Sequence, residues 1–178
     1  MRITTAFRIG ALCLGLVSGQ AAPAAETVYQ STADFLDENL PGCERKALWL
    51  KQDAKTEIEE LLDRPFPGVR VRYCGAGEKT AWILDEIGKT EPITSGVVVN
   101  GGRLERLRVL VFRESRGGEV HREAFVRQYQ QAALDGKFRL DRDVDGITGA
   151  TMSVNAVNRQ ARLALLLDRL ARETSSDR

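Results

Sequence analysis

The chain has 178 residues, with 26 basic and 25 acidic side chains, one histidine and three cysteines. So balanced a charge argues against nucleic acid as a partner, which needs a concentrated basic surface. The cysteines form neither a Cys-x-x-Cys pair nor Cys-x-x-Cys-His, which removes a c-type haem and a cysteine-ligated zinc.

In chain order, Arg2 and Arg8 form a positive stretch ahead of a short apolar run from Ile9 to Val17, followed by small residues through Ala25. This is the layout of a secretory signal peptide over residues 1–25, with Ala22-Pro23-Ala24 before the cleavage point. The run is shorter than the roughly 20 residues a membrane span needs, though an uncleaved N-terminal anchor is the alternative. The expected location is therefore periplasmic or extracytoplasmic, held at the membrane if the segment is retained. Losing Arg2 and Arg8 takes the basic count from 26 to 24 against 25 acidic residues, a net charge of about −1. The remaining length of roughly 150 residues suffices for one domain with its own core. Cys43 and Cys74 survive removal of the segment, and an even count in an exported chain suggests a disulfide, two unrelated buried thiols being the alternative.

Residues 26–81 read as a helical and strand lead-in to the domain. Glu26 to Pro41 is polar with a short helical turn. Glu44 to Leu62 is a helix by the spacing of Ala47, Leu48, Leu50, Ala54, Ile58, Leu61 and Leu62, stopped by Pro65 and Pro67. Strands follow at Val69–Tyr73, Thr80–Glu86, Ile93–Val99 and Leu104–Phe112, the last two joined through Asn100-Gly101-Gly102, a hairpin signal. Gly96 within a strand suggests a turn or bulge nearby. Glu114 to Gly118 is a loop, and Glu123 to Leu134 a helix. Ser153 to Ala171 is an amphipathic helix with Val154, Val157, Ala161, Ala164, Leu165 and Leu167 inward, and the tail from residue 173 frays. The expected fold class is α+β: an antiparallel sheet of about four to six strands packed with helices, with the C-terminal helix following the motif loop. Residues 82–172 form its principal domain.

The densest chemical signal is Asp145-Gly146-Ile147-Thr148-Gly149-Ala150-Thr151, running into the last helix. Gly146 and Gly149 give backbone without bulk, Ala150 adds little cover, and Thr151 presents a hydroxyl. An anion attached there meets free N–H groups at the helix start and the positive end of its dipole, with Thr148, Thr151 and Ser153 as further donors. The simpler reading is an ordinary N-cap, since Thr and Ser before an amphipathic helix suffice for that. His121 reads as a surface residue at a helix start. There is no Gly-x-Gly-x-x-Gly after a strand, so direct oxidation of a dinucleotide is not suggested.

The motif resembles Asp-x-x-Ser/Thr-Gly-Ala-Thr, the acceptor sequence on which a flavin transferase esterifies FMN to threonine. Gly88 to Thr94, Gly96 to Phe112, Arg113 to Glu119 and Phe125-x-x-Gln128-Tyr129 are similar in order and spacing to the FMN-binding domain family, which includes flavin subunits of the sodium-translocating NADH:quinone reductase and the Rnf complex. The resemblance implies FMN held covalently by Thr151, with Asp145, Thr148, Gly149, Ala150 and Ser153 around it. It also places Glu114 and Arg116 in the loop that could approach the ring or phosphate. Asp145 is assigned to holding the loop or to being read by the transferase. It further implies an FAD-dependent flavin transferase as modifying enzyme, and unidentified redox donor and acceptor partners, membrane proteins among the candidates. Glu114-Ser115-Arg116-Gly117-Gly118 departs from the Glu-Thr-Pro-Gly-x-Gly often found in those subunits. That departure and the lack of a firm anchor suggest a stand-alone exported member acting in electron transfer; the alternative is a non-redox exported binding or regulatory module.

Overall fold

A computed structural model describes residues 26–176; the expected signal peptide lies outside the described residues. The elements are β1 (Thr27–Val28), α1 (Thr32–Asn39), β2 (Glu44–Trp49), α2 (Gln52–Leu62), β3 (Arg70–Ala76), β4 (Lys79–Ile87), β5 (Pro92–Asn100), β6 (Arg103–Phe112), a 3-10 turn (Gly118–His121), α3 (Glu123–Val126), a second 3-10 turn (Arg127–Tyr129) and α4 (Thr151–Ser176). The strands form one antiparallel sheet in the order β1-β6-β5-β4-β3-β2. The fold is α+β, as the patterning implies.

The larger core lies between one sheet face and α4. Ala156, Ala161 and Ala164 are fully buried, and such small side chains let the helix approach the sheet closely. Leu166, Leu167, Val97, Leu104 and Trp82 fill the space around them. Polar ties fix the registry. Buried Gln160 donates its amide to the carbonyls of Leu84 (2.8 Å) and Ile93 (2.7 Å) and accepts from the Ser95 hydroxyl (2.7 Å). Further along α4, the fully buried Asp168 accepts from Thr80 (2.7 Å), whose oxygen in turn accepts from the Trp82 indole (2.9 Å). A smaller core on the opposite face is closed by α1. Ser31 caps it, its hydroxyl accepting from Asp34 N–H, and Phe35 sits over β5. Gly96 is there because of that packing: a Cβ at this position would come within 2.5 Å of the Phe35 ring. The irregularity that its composition suggests also occurs, as a register shift between Thr94 and Ser95.

Four local expectations are corrected. The helix expected over Glu44–Leu62 is a strand followed by a helix. Its first six residues pair with β3 from Glu44↔Gly75 to Trp49↔Arg70. Cys43 and Cys74 are bonded beside them, with Cα atoms 5.5 Å apart. Non-local pairing thus overrides a helical spacing that only Ala54, Ile58, Leu61 and Leu62 carry. The helix expected over Glu123–Leu134 stops after Val126. Here Leu104 N–H donates to Ala132 and Gln131 N–H to Leu104, so the chain is drawn out alongside β6. The last helix begins at Thr151 rather than Ser153. It also continues past the expected fraying point, the hydroxyls of Thr174 and Ser175 bonding the carbonyls of Leu170 and Ala171. Finally, β1 was not anticipated: two residues carry no periodicity, and it exists through pairing of Thr27 with Phe112 and Val28 with Val111. The Asn100-Gly101-Gly102 hairpin is present, with positive φ at Gly101 (57°) and Gly102 (79°), the backbone a tight turn between right-twisted strands requires.

Candidate functional site

The site is built where the 145–151 loop meets α4. Ala150 is buried (3% exposed), and its carbonyl accepts the N–H of Val154 at 2.9 Å, the first bond of the helix. The N–H groups of Thr151, Met152 and Ser153 are therefore the unpaired first turn. Ala150 also closes the preceding turn, donating its N–H to Ile147 (2.9 Å). Gly149 has φ 81°, a conformation that a side chain would strain. Thr151 is exposed, as are Asp145, Thr148 and Gly149, while Ser153 is buried. The backbone around Thr151 is thus fixed while its side chain is exposed. Ideal Cβ atoms on Gly146 and Gly149 would meet nothing within 4 Å, so approach from that side is open.

Ser153 is buried by the 114–118 loop. Gly117 has φ 86°, and a Cβ there would lie 2.5 Å from Ser153 Oγ and 3.3 Å from Ala150 Cβ. That loop is pinned at its start by Glu114. One carboxylate oxygen accepts the N–H groups of Lys89, Thr90 (2.7 Å) and Glu91 (3.0 Å), and the other accepts the Thr90 hydroxyl at 3.2 Å. Burial opposes ionisation of Glu114, but the hydrogen bonds from Glu91, Thr90 and Lys89 outweigh it and hold the carboxyl below the ordinary glutamate range. Both of its oxygens are occupied by the protein, so Glu114 ties segment 88–91 to the loop that cradles α4 and acts there as a positioning residue. Arg116, next to Gly117, is exposed and forms no ion pair among the described residues.

Asp145 is held by its backbone. Its N–H donates to the Gln128 side-chain carbonyl at 2.7 Å, whereas its carboxylate faces solvent without a hydrogen-bonding partner among the described residues. The next residue, Tyr129, is fully buried and donates to Asn158 of α4 at 2.6 Å; burial raises its hydroxyl pKa. Gln128 and Tyr129 thus position the 145–151 loop and the helix together. Sequence periodicity did not find this pair as support for the site, because both contacts are long-range. Beyond Thr151 along the same face of α4, Asn155, Asn158, Arg159 and Arg162 border a cleft of about 760 Å³, closed on the other side by residues 139–144. His121 forms no hydrogen bond to this loop among the described residues; its Nδ1 meets the Gly118 carbonyl instead. It is exposed and stacks on Tyr29 with ring centroids 4.1 Å apart.

An exposed hydroxyl at a helix start with free N–H groups beside it suits a phosphate ester. No cluster of three metal-ligating side chains occurs among the described residues. No helix among them is long and apolar enough to cross a membrane. Residues 88–166 match the family model of the FMN-binding domain. That segment runs from the Glu114-bound turn through the acceptor loop into α4. No curated protein matches the chain.

Proposed function

The chain belongs to the FMN-binding domain family through residues 88–166, and from that premise we propose that it is an exported flavoprotein carrying FMN on Thr151 for extracytoplasmic electron transfer. The observation that carries this reading is the contrast within the four residues 150–153. Ala150 and Ser153 are locked into the fold, while Thr151 between them projects a free hydroxyl from the first position of a 26-residue helix.

In the attachment step, the Thr151 oxygen forms a bond to the flavin-side phosphorus of FAD. The P–O–P link breaks, AMP leaves and the hydroxyl proton is released. The reaction is a phosphoryl transfer, governed by positioning and charge neutralisation. No histidine or lysine is hydrogen-bonded to Thr151, so activation falls to a separate FAD-dependent transferase. The solvent-facing Asp145 carboxylate is available for that enzyme to read. Once attached, the phosphate is held by the first-turn N–H groups of α4, with Arg116, next to the Gly117 that packs on Ser153, able to add charge. Gly117 and Ser153 keep the loop against the helix, and Glu114 keeps the loop in place. The flavin supplies one- and two-electron chemistry; the protein supplies a rigid mount.

The proposal is tested by denaturing the protein from a host with the transferase and titrating the native form. Flavin fluorescence that stays with the unfolded chain, together with reversible reduction by small donors, is expected. Colour that separates from the chain on denaturation contradicts covalent attachment, and a flavin that cannot be reduced and reoxidised contradicts electron transfer.

A further inference from the structure

The sheet face away from α4 is covered unevenly. Phe35 of α1 closes it over β5 and Leu40 packs with Cys74 of β3, but Arg45, Ala47 and Trp49 of β2 and Arg70 and Arg72 of β3 stay exposed. Antiparallel register puts opposed residues on the same side. Arg45 opposes Cys74, Ala47 opposes Arg72, and Trp49 opposes Arg70. Arg45, Arg70 and Arg72 therefore share the open face, all are exposed, and none forms an ion pair or hydrogen bond among the described residues. The Arg70 guanidinium lies 5.4 Å from the Trp49 ring centroid. Trp49 is 60% exposed. A groove of about 570 Å³ runs between these strands and α1, floored by Ala47, Ala81 and Ile83. A nearly neutral chain has thus gathered three unpaired arginines and its most exposed tryptophan on one uncovered face.

We propose that this face docks onto a membrane surface rich in anionic phospholipid, the arginines meeting phosphate groups and Trp49 entering the interfacial layer. Charge selects the occupant. A second copy would set arginine against arginine. Residues 1–25 contain Arg2 and Arg8 and no acidic residue, so that segment is not complementary either. Guanidinium groups bind phosphate oxygens in a bidentate fork. A tryptophan flanked by arginines suits a headgroup layer, which takes an aromatic body and a polar edge together. The inference stands apart from the flavin reading. Where both hold, α4 lies on the opposite side of the sheet with Thr151 facing away from it, so the flavin is presented to aqueous partners.

The test is co-sedimentation of the full chain with phosphatidylcholine vesicles, with and without phosphatidylglycerol. Partitioning is expected only with the anionic lipid and should fall as salt rises. Each arginine near such a surface contributes about fivefold in affinity. The triple variant Arg45→Gln, Arg70→Gln, Arg72→Gln should therefore bind about a hundredfold more weakly, while Arg127→Gln leaves binding intact. Trp49→Ala should weaken it further without changing the salt dependence. The same three positions changed to lysine should keep most of the binding, which separates lost charge from lost folding. The proposal is overturned by partitioning that ignores the triple glutamine variant, by equal binding to neutral vesicles, or by binding to soluble polyglutamate with none to vesicles.

Discussion

Gly117 rests on Ser153 so closely that a Cβ would come within 2.5 Å of its hydroxyl oxygen, at a φ of 86° that only glycine adopts freely. This contact joins two stretches that local sequence does not connect, the loop after β6 and the first turn of α4. Gly117→Ala should destabilise the fold by about 1–2 kcal/mol through backbone strain and steric conflict. It should also lower flavin loading, because the new methyl crowds Ala150 and Ser153 on either side of Thr151. Adding Ser153→Ala relieves the contact and not the strain, so the double variant should recover part of the stability. Thermal melts and the absorbance ratio of flavin to protein read both effects; a fully loaded, equally stable Gly117→Ala protein would show that the contact is incidental.

Glu114→Gln should cost about 2–3 kcal/mol, since a carboxylate accepting three N–H groups and a hydroxyl becomes an amide that accepts through one oxygen. The pH dependence has a definite sign. The folded-state pKa is below the unfolded value, so this contribution is complete above the ordinary glutamate pKa of about 4.3 and is lost as pH falls through the lower folded value. The difference in stability between the parent protein and Glu114→Gln should therefore shrink on acidification in denaturant titrations. A gap that stays constant to low pH would rule out the carboxylate as its source.

Removing the Cys43–Cys74 cross-link by paired serine substitution should cost about 3–4 kcal/mol, the range expected for a loop with a sequence separation of 31 residues. The loss should appear first as faster amide exchange in β2, an edge strand that pairs only with β3. Flavin loading should be unaffected, because the bond is on the far edge of the sheet from β6 and the loop that follows it.

Gln160→Leu should destabilise by about 2–4 kcal/mol despite the greater hydrophobicity of leucine. It leaves the Leu84 and Ile93 carbonyls without the side-chain donor they share, and the Ser95 hydroxyl without its acceptor, in a site with 1% exposure. A neutral result in chemical denaturation would mean that these groups find other partners.

How much of this was legible in the sequence depended on the range of the interactions. β4, β5 and β6 were readable because alternation and the Gly101-Gly102 turn are local. The C-terminal helix was readable because its apolar stripe runs for several turns. β2 was misread because Ala47 and Leu48 fit a helical stripe, and only pairing with β3 distinguishes the two states. α3 was overextended because its end is decided by Leu104, far back in the chain. At the site, the pattern from Asp145 to Thr151 is covalently contiguous and so could be seen. Its supports could not: the Gln128 carbonyl that holds Asp145 N–H is 17 residues away, and the turn at 88–91 that receives Glu114 is no nearer in sequence. The resemblance suggests Glu114 as a group near the flavin or phosphate, and the structure commits both its oxygens to backbone and hydroxyl donors instead.

The central claim is the bond at Thr151, and intact-protein mass spectrometry tests it most directly. The protein from a host that contains the transferase should be heavier than its chain by the mass of FMN less one water. Thr151→Ala should lack that increment while remaining folded, and Ser153→Ala should retain it. An unmodified parent protein from such a host, or an increment that survives in Thr151→Ala, would contradict the account.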